Sequence, residues 1–265
     1  MAKLTFLKLG GSLITDKRQA STARHEVIAR LAAEITEARR ERGDLPLLLG
    51  HGSGSFGHFV AKQHGTREGV SGAEQWTGFL EVWQAARELH NLVIEALQEQ
   101  GLPVIGFAPS ASAISWDGQV AAWNTSPIEA ALETGLIPVV YGDVVFDQTR
   151  GGGILSTEEL FLYLAQKLEP GKVLLAANDP VYSDFPQRNE ILPEINTANL
   201  DQVRQTLSGG GGSDVTGGML SKVEAALEMA TSGQGGVEVW IFSAERQGQI
   251  KKALLSQPEG TRIRA

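Results

Sequence analysis

The sequence predicts an α/β protein with a mostly parallel sheet covered by helices on both faces. Three observations carry this expectation. Apolar strand-like runs alternate with stretches of helical periodicity along the chain. Runs such as Val173-Leu174-Leu175-Ala176 are continuously apolar, which suits strands buried on both sides. Glycine-rich turns follow several runs, and in open α/β sheets ligands sit beyond the carboxyl ends of the strands.

The elements follow in order. Leu4–Leu9 is a strand that stops at Gly10-Gly11. Glu26–Arg40 is a helix, because Val27, Leu31, Ile35 and Ala38 recur every three to four residues. Leu45–Leu49 is a strand that runs into His51-Gly52-Ser53-Gly54-Ser55-Phe56-Gly57-His58. Glu74–Gln98 is a long helix with Phe79, Val82, Trp83, Ala86, Leu89, Val93 and Leu97 at apolar positions. Pro103–Ala108 is a strand, Pro127–Glu133 a short helix, and Ile137–Tyr141 a strand ending at Gly142-Asp143. Helix Glu158–Leu168, strand Lys172–Ala177, helix Ser221–Met229 and strand Val237–Phe242 complete the series. Gly217-Gly218 precedes the last of these helices. There is no tandem repeat and no clear linker, so residues 1–265 read as one domain with two functional halves.

Composition narrows the function. The chain has 265 residues, 42% of them hydrophobic and 20% charged, as in a globular protein. A net charge of −8 argues against nucleic acid or an anionic membrane surface as partner. With no cysteine, the chain has no disulfide framework, thiolate zinc site or cysteine nucleophile, and the cytoplasm is the default compartment. The N-terminal apolar stretch is too short for a secretion signal, and Lys8 interrupts it. No run approaches the roughly 18 apolar residues that span a bilayer. No histidine pair has helical ligand spacing with a carboxylate, so no histidine-held metal is expected.

Gly52-x-Gly54-x-x-Gly57 follows a strand and matches a dinucleotide pattern, with Glu74 about 20 residues on. Against that reading, no clean helix opens on Gly54 and no strand delivers Glu74 to a ribose. Tyr163-Leu164-Ala165-Gln166-Lys167 suggests a short-chain dehydrogenase, but Lys8-Leu9-Gly10-Gly11-Ser12 is not the glycine fingerprint such an enzyme needs. The phosphate loop Gly-x-x-x-x-Gly-Lys-Ser/Thr is missing too. The turns are better explained as amide cradles for a ligand with several phosphates. Three lysines lie beside them: Lys8 before the first glycine pair, Lys17 after it, and Lys222 in the helix after Gly217-Gly218. Cations and amides converging on a phosphoryl group stabilise its equatorial oxygens without covalent chemistry. His58, closing the second cradle, is placed to donate to a phosphate oxygen, whereas His51 supports the loop and His25, His64 and His90 lack such a context. These residues leave open a phosphotransferase, a nicotinamide-dependent oxidoreductase and a noncatalytic nucleotide sensor.

Taken together, Lys8–Lys17, His51–His58, Tyr141-Gly142-Asp143-Val144 and Asp214-Val215-Thr216-Gly217-Gly218-Met219-Leu220-Ser221-Lys222 resemble the amino-acid kinase superfamily. Within it, Ile14-Thr15-Asp16-Lys17 and Ser55-Phe56-Gly57-His58 are most similar to the isopentenyl phosphate kinase branch. Fosfomycin kinase, with the same histidine, is the nearest rival, followed by kinases of other small phosphonates or acyl amino acids. The resemblance implies a three-layer α/β/α sandwich, a homodimer, ATP with Mg2+, and phosphorylation of isopentenyl phosphate to isopentenyl diphosphate in isoprenoid synthesis. It implies an acceptor half over about residues 1–170 and an ATP half over about 171–265. Lys8 would then contact the transferring phosphate, Lys17 the phosphates across the gap and His58 the acceptor phosphate. Ser53, Gly54 and Gly142 would line the acceptor and transfer site. Gly10, Gly11, Ser12, Asp179, Gly218 and Lys222, with Lys8 and Gly54, would contact ATP.

The pattern departs in three places. Ser53 stands where the branch has glycine, and serine is strained if that position needs a positive φ. Ser156-Thr157-Glu158-Glu159 stands for the usual Ser-Gly-Asp-Asp, so Glu158 either orders Lys8 and Lys222 or merely favours a helix N-terminus. Ala177-Asn178-Asp179-Pro180-Val181-Tyr182 differs from the usual Thr-Asp-Val-Asp-Gly. A five-carbon tail needs an apolar pocket, and Trp76, Phe79 and Trp83 are either that pocket or ordinary core.

Overall fold

The computed structural model describes residues 3–43, 45–208, 215–232 and 237–265. In chain order the elements are β1 (Thr5–Leu9), α1 (Gly11–Ile14), α2 (His25–Glu41), β2 (Leu47–His51), α3 (Gly54–His64), α4 (Ala73–Glu99) and β3 (Val104–Phe107). A hairpin, β4 (Ala113–Trp116) and β5 (Gln119–Trp123), leads to α5 (Ser126–Glu133) and β6 (Ile137–Tyr141). A second hairpin, β7 (Asp143–Asp147) and β8 (Gly151–Leu155), leads to α6 (Thr157–Leu168) and β9 (Lys172–Ala177). Then come β10 (Glu194–Ile195), α7 (Leu200–Ser208), α8 (Val215–Ser232), β11 (Glu238–Ser243), α9 (Gln249–Leu255) and β12 (Gly260–Ile263).

Eight strands form the main sheet in the order β10-β12-β11-β9-β1-β2-β6-β3. Every pairing is parallel except β11 with β12. Strand parity then sorts the side chains to two faces. Leu7, Leu9, Leu47 and Leu49 pack with Ile28, Leu31 and Ile35 of α2, Leu89 and Val93 of α4, and Ile250 of α9. Phe6, Leu48, Val173 and Leu175 pack on the other side with Leu160 and Phe161 of α6, Val203 of α7, and Val223 and Ala226 of α8. This is the three-layer α/β/α sandwich with a mostly parallel central sheet that the sequence led us to expect.

The register sets the functional edge. Leu9 of β1 lies level with His51 of β2 and Ala176 of β9, and His51 lies level with Tyr141 of β6. The turns at Gly10, Gly52 and Gly142 therefore leave three adjacent strands, β1, β2 and β6, at one height on one edge. A four-stranded leaf, β5-β4-β7-β8, stands apart from the sheet. Asp147 ties its turns together, accepting from Ser115 Oγ at 2.6 Å, Gly118 N at 2.8 Å and Thr149 N at 2.9 Å.

Two readings need correction. A helix does open on Gly54: α3 runs to His64 even though it contains two glycines. Gly217-Gly218 does not precede the last large helix but lies inside its first turn, because α8 begins at Val215. Asp214 and the four glycines at 209–212 lie outside the described residues.

Candidate active site

The glycine turns meet backbone to backbone. A Cβ on Gly11 would lie 2.5 Å from Gly54 N, and one on Gly52 would lie 2.9 Å from Gly11 N. Gly10 is as confined, since its Cβ would come within 2.8 Å of Ala176 O. The positive φ of the second turn falls on Gly54, at 49°. Ser53 sits at φ −76°, ψ −12°, an ordinary helical conformation. The strain expected for a serine here is therefore absent: the left-handed residue is the next one, and it is still glycine. Gly142 adjoins this turn, 3.8 Å separating the place of a Cβ there from Ser53 N.

Thr15 and Ser55 clasp the two turns. Thr15 Oγ1 donates to Gly11 O at 2.7 Å and accepts from Ser55 N at 2.9 Å. Ser55 O in turn accepts from Ser21 N at 3.2 Å, which tethers the exposed turn that carries Lys17. Neither Thr15 nor Ser55 carries a sequence signal of its own, although they lie within Lys8–Lys17 and His51–His58.

The cations converge from three elements. Lys8 shares its strand face with Phe6, so it points to the side covered by α6 and α8, where Glu158 and Lys222 reside. It is only 5% exposed and forms an ion pair with Glu158. Ser156 caps α6, with Glu159 completing the box, so the cap leaves Glu158 available to Lys8. Burial pushes the Glu158 carboxyl up, but the charge and hydrogen bond of Lys8, with the charge of Lys222, hold it below the usual value. Glu158 thus pairs with Lys8 and bears on the Lys222 charge as well as standing in the first turn of the helix.

Lys222 is lowered to about 8, first by desolvation and then by Lys8, against the support of Glu158. Lys17 lowers it further and Asp179 supports it. The His58 imidazole is also held below its usual value, first by desolvation and then by Lys8, Arg67 and Lys17. Lys8, Lys17, Lys222 and His58 therefore share one electrostatic neighbourhood. Arg67, just beyond α3, joins it without having carried any sequence signal, and lies 3.4 Å from Glu159.

Ser12 is half-buried in α1. Asp179 follows β9 and pairs with Arg188 at 3.1 Å. Gly218 is exposed, with nothing within 4 Å of where its Cβ would be. His90, which has no glycine turn beside it in the sequence, is buried 3.0 Å from His51. Tyr163, of the dehydrogenase-like pattern, is a packing residue whose hydroxyl accepts from Trp123 N at 3.2 Å.

Comparison with known proteins points the same way. The model of the amino acid kinase family matches residues 3–243. The isopentenyl phosphate kinase of Methanocaldococcus jannaschii is 33% identical, the match covering 98% of each chain. That of Methanothermobacter thermautotrophicus is 34% identical, again over 98% of each. Solved X-ray structures of isopentenyl phosphate kinase superpose with a TM-score of 0.82 at 31% identity, covering 98% of this chain and 99% of the other.

Proposed function

The chain belongs to the amino acid kinase family, and on that premise we propose that it transfers the γ-phosphoryl group of ATP to isopentenyl phosphate, giving isopentenyl diphosphate. The observation that carries this reading is the meeting of Lys8, Lys17 and Lys222 with His58 around the paired glycine turns. Transfer is direct and in line. The acceptor oxygen belongs to a phosphate monoester and is already largely ionised near neutral pH, so no strong general base is needed. His58 grips the acceptor phosphate beside the Ser53 and Gly54 amides and Gly142. Lys8, steadied by Glu158, follows the moving phosphoryl group, and Lys222 and Lys17 balance charge on the ATP side. Gly10, Gly11 and Ser12 border the ATP phosphates, with Asp179 and Gly218 further out.

Residues up to about 170 form the acceptor half and those from about 171 the ATP half. Mg2+ enters with ATP. Among the described residues no group of three or more His, Asp or Glu side chains forms a metal cage. Mg2+ is commonly held by substrate phosphates, water and one or two carboxylates, and Asp179 is the carboxylate on that side. The ion would neutralise β- and γ-phosphate charge. The acceptor tail lies against the separate apolar cluster of Val70, Phe79, Val82 and Val144, flanked by Trp76 and Trp83. Burying five carbons contributes roughly 3–4 kcal/mol. A homodimer is supported by the sheet edge at β3, where Ile105 is 40% exposed. Among the described residues no helix is long and apolar enough to cross a membrane, and the reaction draws on ATP of the cytoplasm.

The test is a panel of acceptors with ATP, followed by 31P NMR. Isopentenyl phosphate should yield a diphosphate at a far higher kcat/KM than fosfomycin, acetylglutamate or glutamate. Preference for any of those three, or no turnover of isopentenyl phosphate, would overturn the assignment.

A further inference from the structure

We infer that His51, backed by His90, is a positioning residue that locks the Gly52–Ser53 peptide so that the Ser53 N–H faces the acceptor phosphate. The inference rests on the acceptor reading above but concerns side chains that touch no substrate. His51 Nδ1 lies 3.2 Å from Gly52 O. A carbonyl only accepts, so Nδ1 carries the proton. In a neutral ring Nε2 is then an acceptor, and His90 Nδ1, 3.0 Å away, must donate to it. The proton order of the pair is fixed by one backbone oxygen.

The surroundings hold the pair in this state. His90 stacks directly on Tyr141, with ring centroids 4.1 Å apart, and His51 completes the ring cluster at 5.3 Å from His90 and 5.6 Å from Tyr141. His90 also presses on Gly106, where a Cβ would come within 2.2 Å of its Nε2. Desolvation, helped by the neighbouring His90 and Lys8 charges, lowers His51 to about 3, and desolvation lowers His90 to about 4. Both rings are neutral near pH 7.

The consequence follows from the planarity of the peptide. In a trans peptide C=O and N–H point opposite ways. With Gly52 O turned down onto the buried imidazole, Ser53 N–H turns up, toward Gly142 and the space between the glycine turns. Gly52 N is used by Leu9 O at 3.1 Å, and Ser53 O accepts from Phe56 N at 3.1 Å and Gly57 N at 3.2 Å. Gly52 has no side chain to resist rotation, so without the imidazole this peptide is free to flip. A flipped peptide presents a carbonyl oxygen to a phosphate dianion.

Three variants separate positioning from packing. His51→Asn keeps an N–H at the δ position, His51→Gln offers one only at the ε position, and His51→Leu offers none. Loss of one amide contact to a charged group should raise the acceptor KM about tenfold or more in His51→Leu and His51→Gln. The KM for ATP should change less than about threefold, and His51→Asn should return to within about threefold of wild type. Equal acceptor KM values in Asn and Leu, or defects that follow melting temperature alone, would overturn the inference. Should a variant not fold, wild-type protein answers the same question by 15N NMR. His51 must show the Nδ1–H tautomer, and the Ser53 amide must shift with isopentenyl phosphate and not with ATP. A static Ser53 amide is a refutation. If wild-type protein fails to phosphorylate isopentenyl phosphate, the assigned reaction is wrong. The lock is then judged by titrating the variants with methyl phosphate, where Asn must still bind more tightly than Leu.

Discussion

A lysine partly withdrawn from water loses charge more readily than an exposed one, and half-buried Lys222 is in that position. Its pKa is lowered to about 8, so it is protonated below that value and neutral above it. Activity that needs its charge is complete on the acid side and is lost as pH rises through about 8. The profile of kcat/KM for ATP reports the free enzyme and should fall toward tenfold per unit above that point. Lys222→Arg should carry the plateau beyond pH 9. Glu158 supports the Lys222 charge, so Glu158→Gln should move the falling limb to lower pH while also releasing Lys8. A limb that stays in place in Glu158→Gln would remove Glu158 from this role. At the other end of the site, His58→Ala should lower kcat/KM for the acceptor by at least about a hundredfold. ATP affinity, measured by calorimetry, should survive.

At the scale of elements, the active edge depends on two turns whose glycines tolerate no side chain. A Cβ on Gly54 would lie 2.2 Å from Thr15 Oγ1 and 2.6 Å from Gly11 O, at a φ of 49°. Strain and overlap together should cost Gly54→Ala about 2–3 kcal/mol. That corresponds to roughly 5–10 °C in melting temperature. Thr15→Val, which removes the clasp and keeps the volume, should lower kcat with a smaller thermal effect, and Thr15→Ser should restore it.

The strands that present these turns were legible because continuous apolar runs admit few alternatives. Helix α3 was not, since Gly54 and Gly57 lower its propensity and its first turn is held by partners distant in sequence, Thr15 and Ser21. The two hairpins escaped for a related reason. Gly151-Gly152-Gly153 carries no apolar pattern, and Gln119–Trp123 is largely exposed. The lysines and His58 could be read because glycine turns marked them. The His51–His90 contact could not, because it joins positions 39 residues apart on elements that meet only in the folded chain.

For the molecule as a whole, apolar residues serve two ends that burial alone does not distinguish. The clusters on the two sheet faces hold the sandwich together, whereas the small third cluster lies away from them, between α3, α4 and the β7–β8 hairpin. Helix α4 contributes to both kinds, Leu89 to a sheet face and Phe79 to the small cluster. Phe79 lies 5.1 Å from the Trp76 ring and 5.5 Å from that of Phe146, and Phe146 is half exposed, so this group opens toward solvent. Removing a large side chain from either cluster destabilises, by about 2–5 kcal/mol for Leu89→Ala and about 3–5 kcal/mol for Phe79→Ala. Their effects on specificity should differ in kind. If the small cluster bounds the acceptor tail, Phe79→Ala lengthens the space available to it, and a ten-carbon geranyl phosphate gains about 0.8 kcal/mol for each further carbon that is buried. The kcat/KM of geranyl phosphate relative to isopentenyl phosphate should then rise at least about tenfold in Phe79→Ala, and remain at the wild-type ratio in Leu89→Ala. An equal change in both variants would mean that the small cluster is only part of the core, and that the tail lies elsewhere.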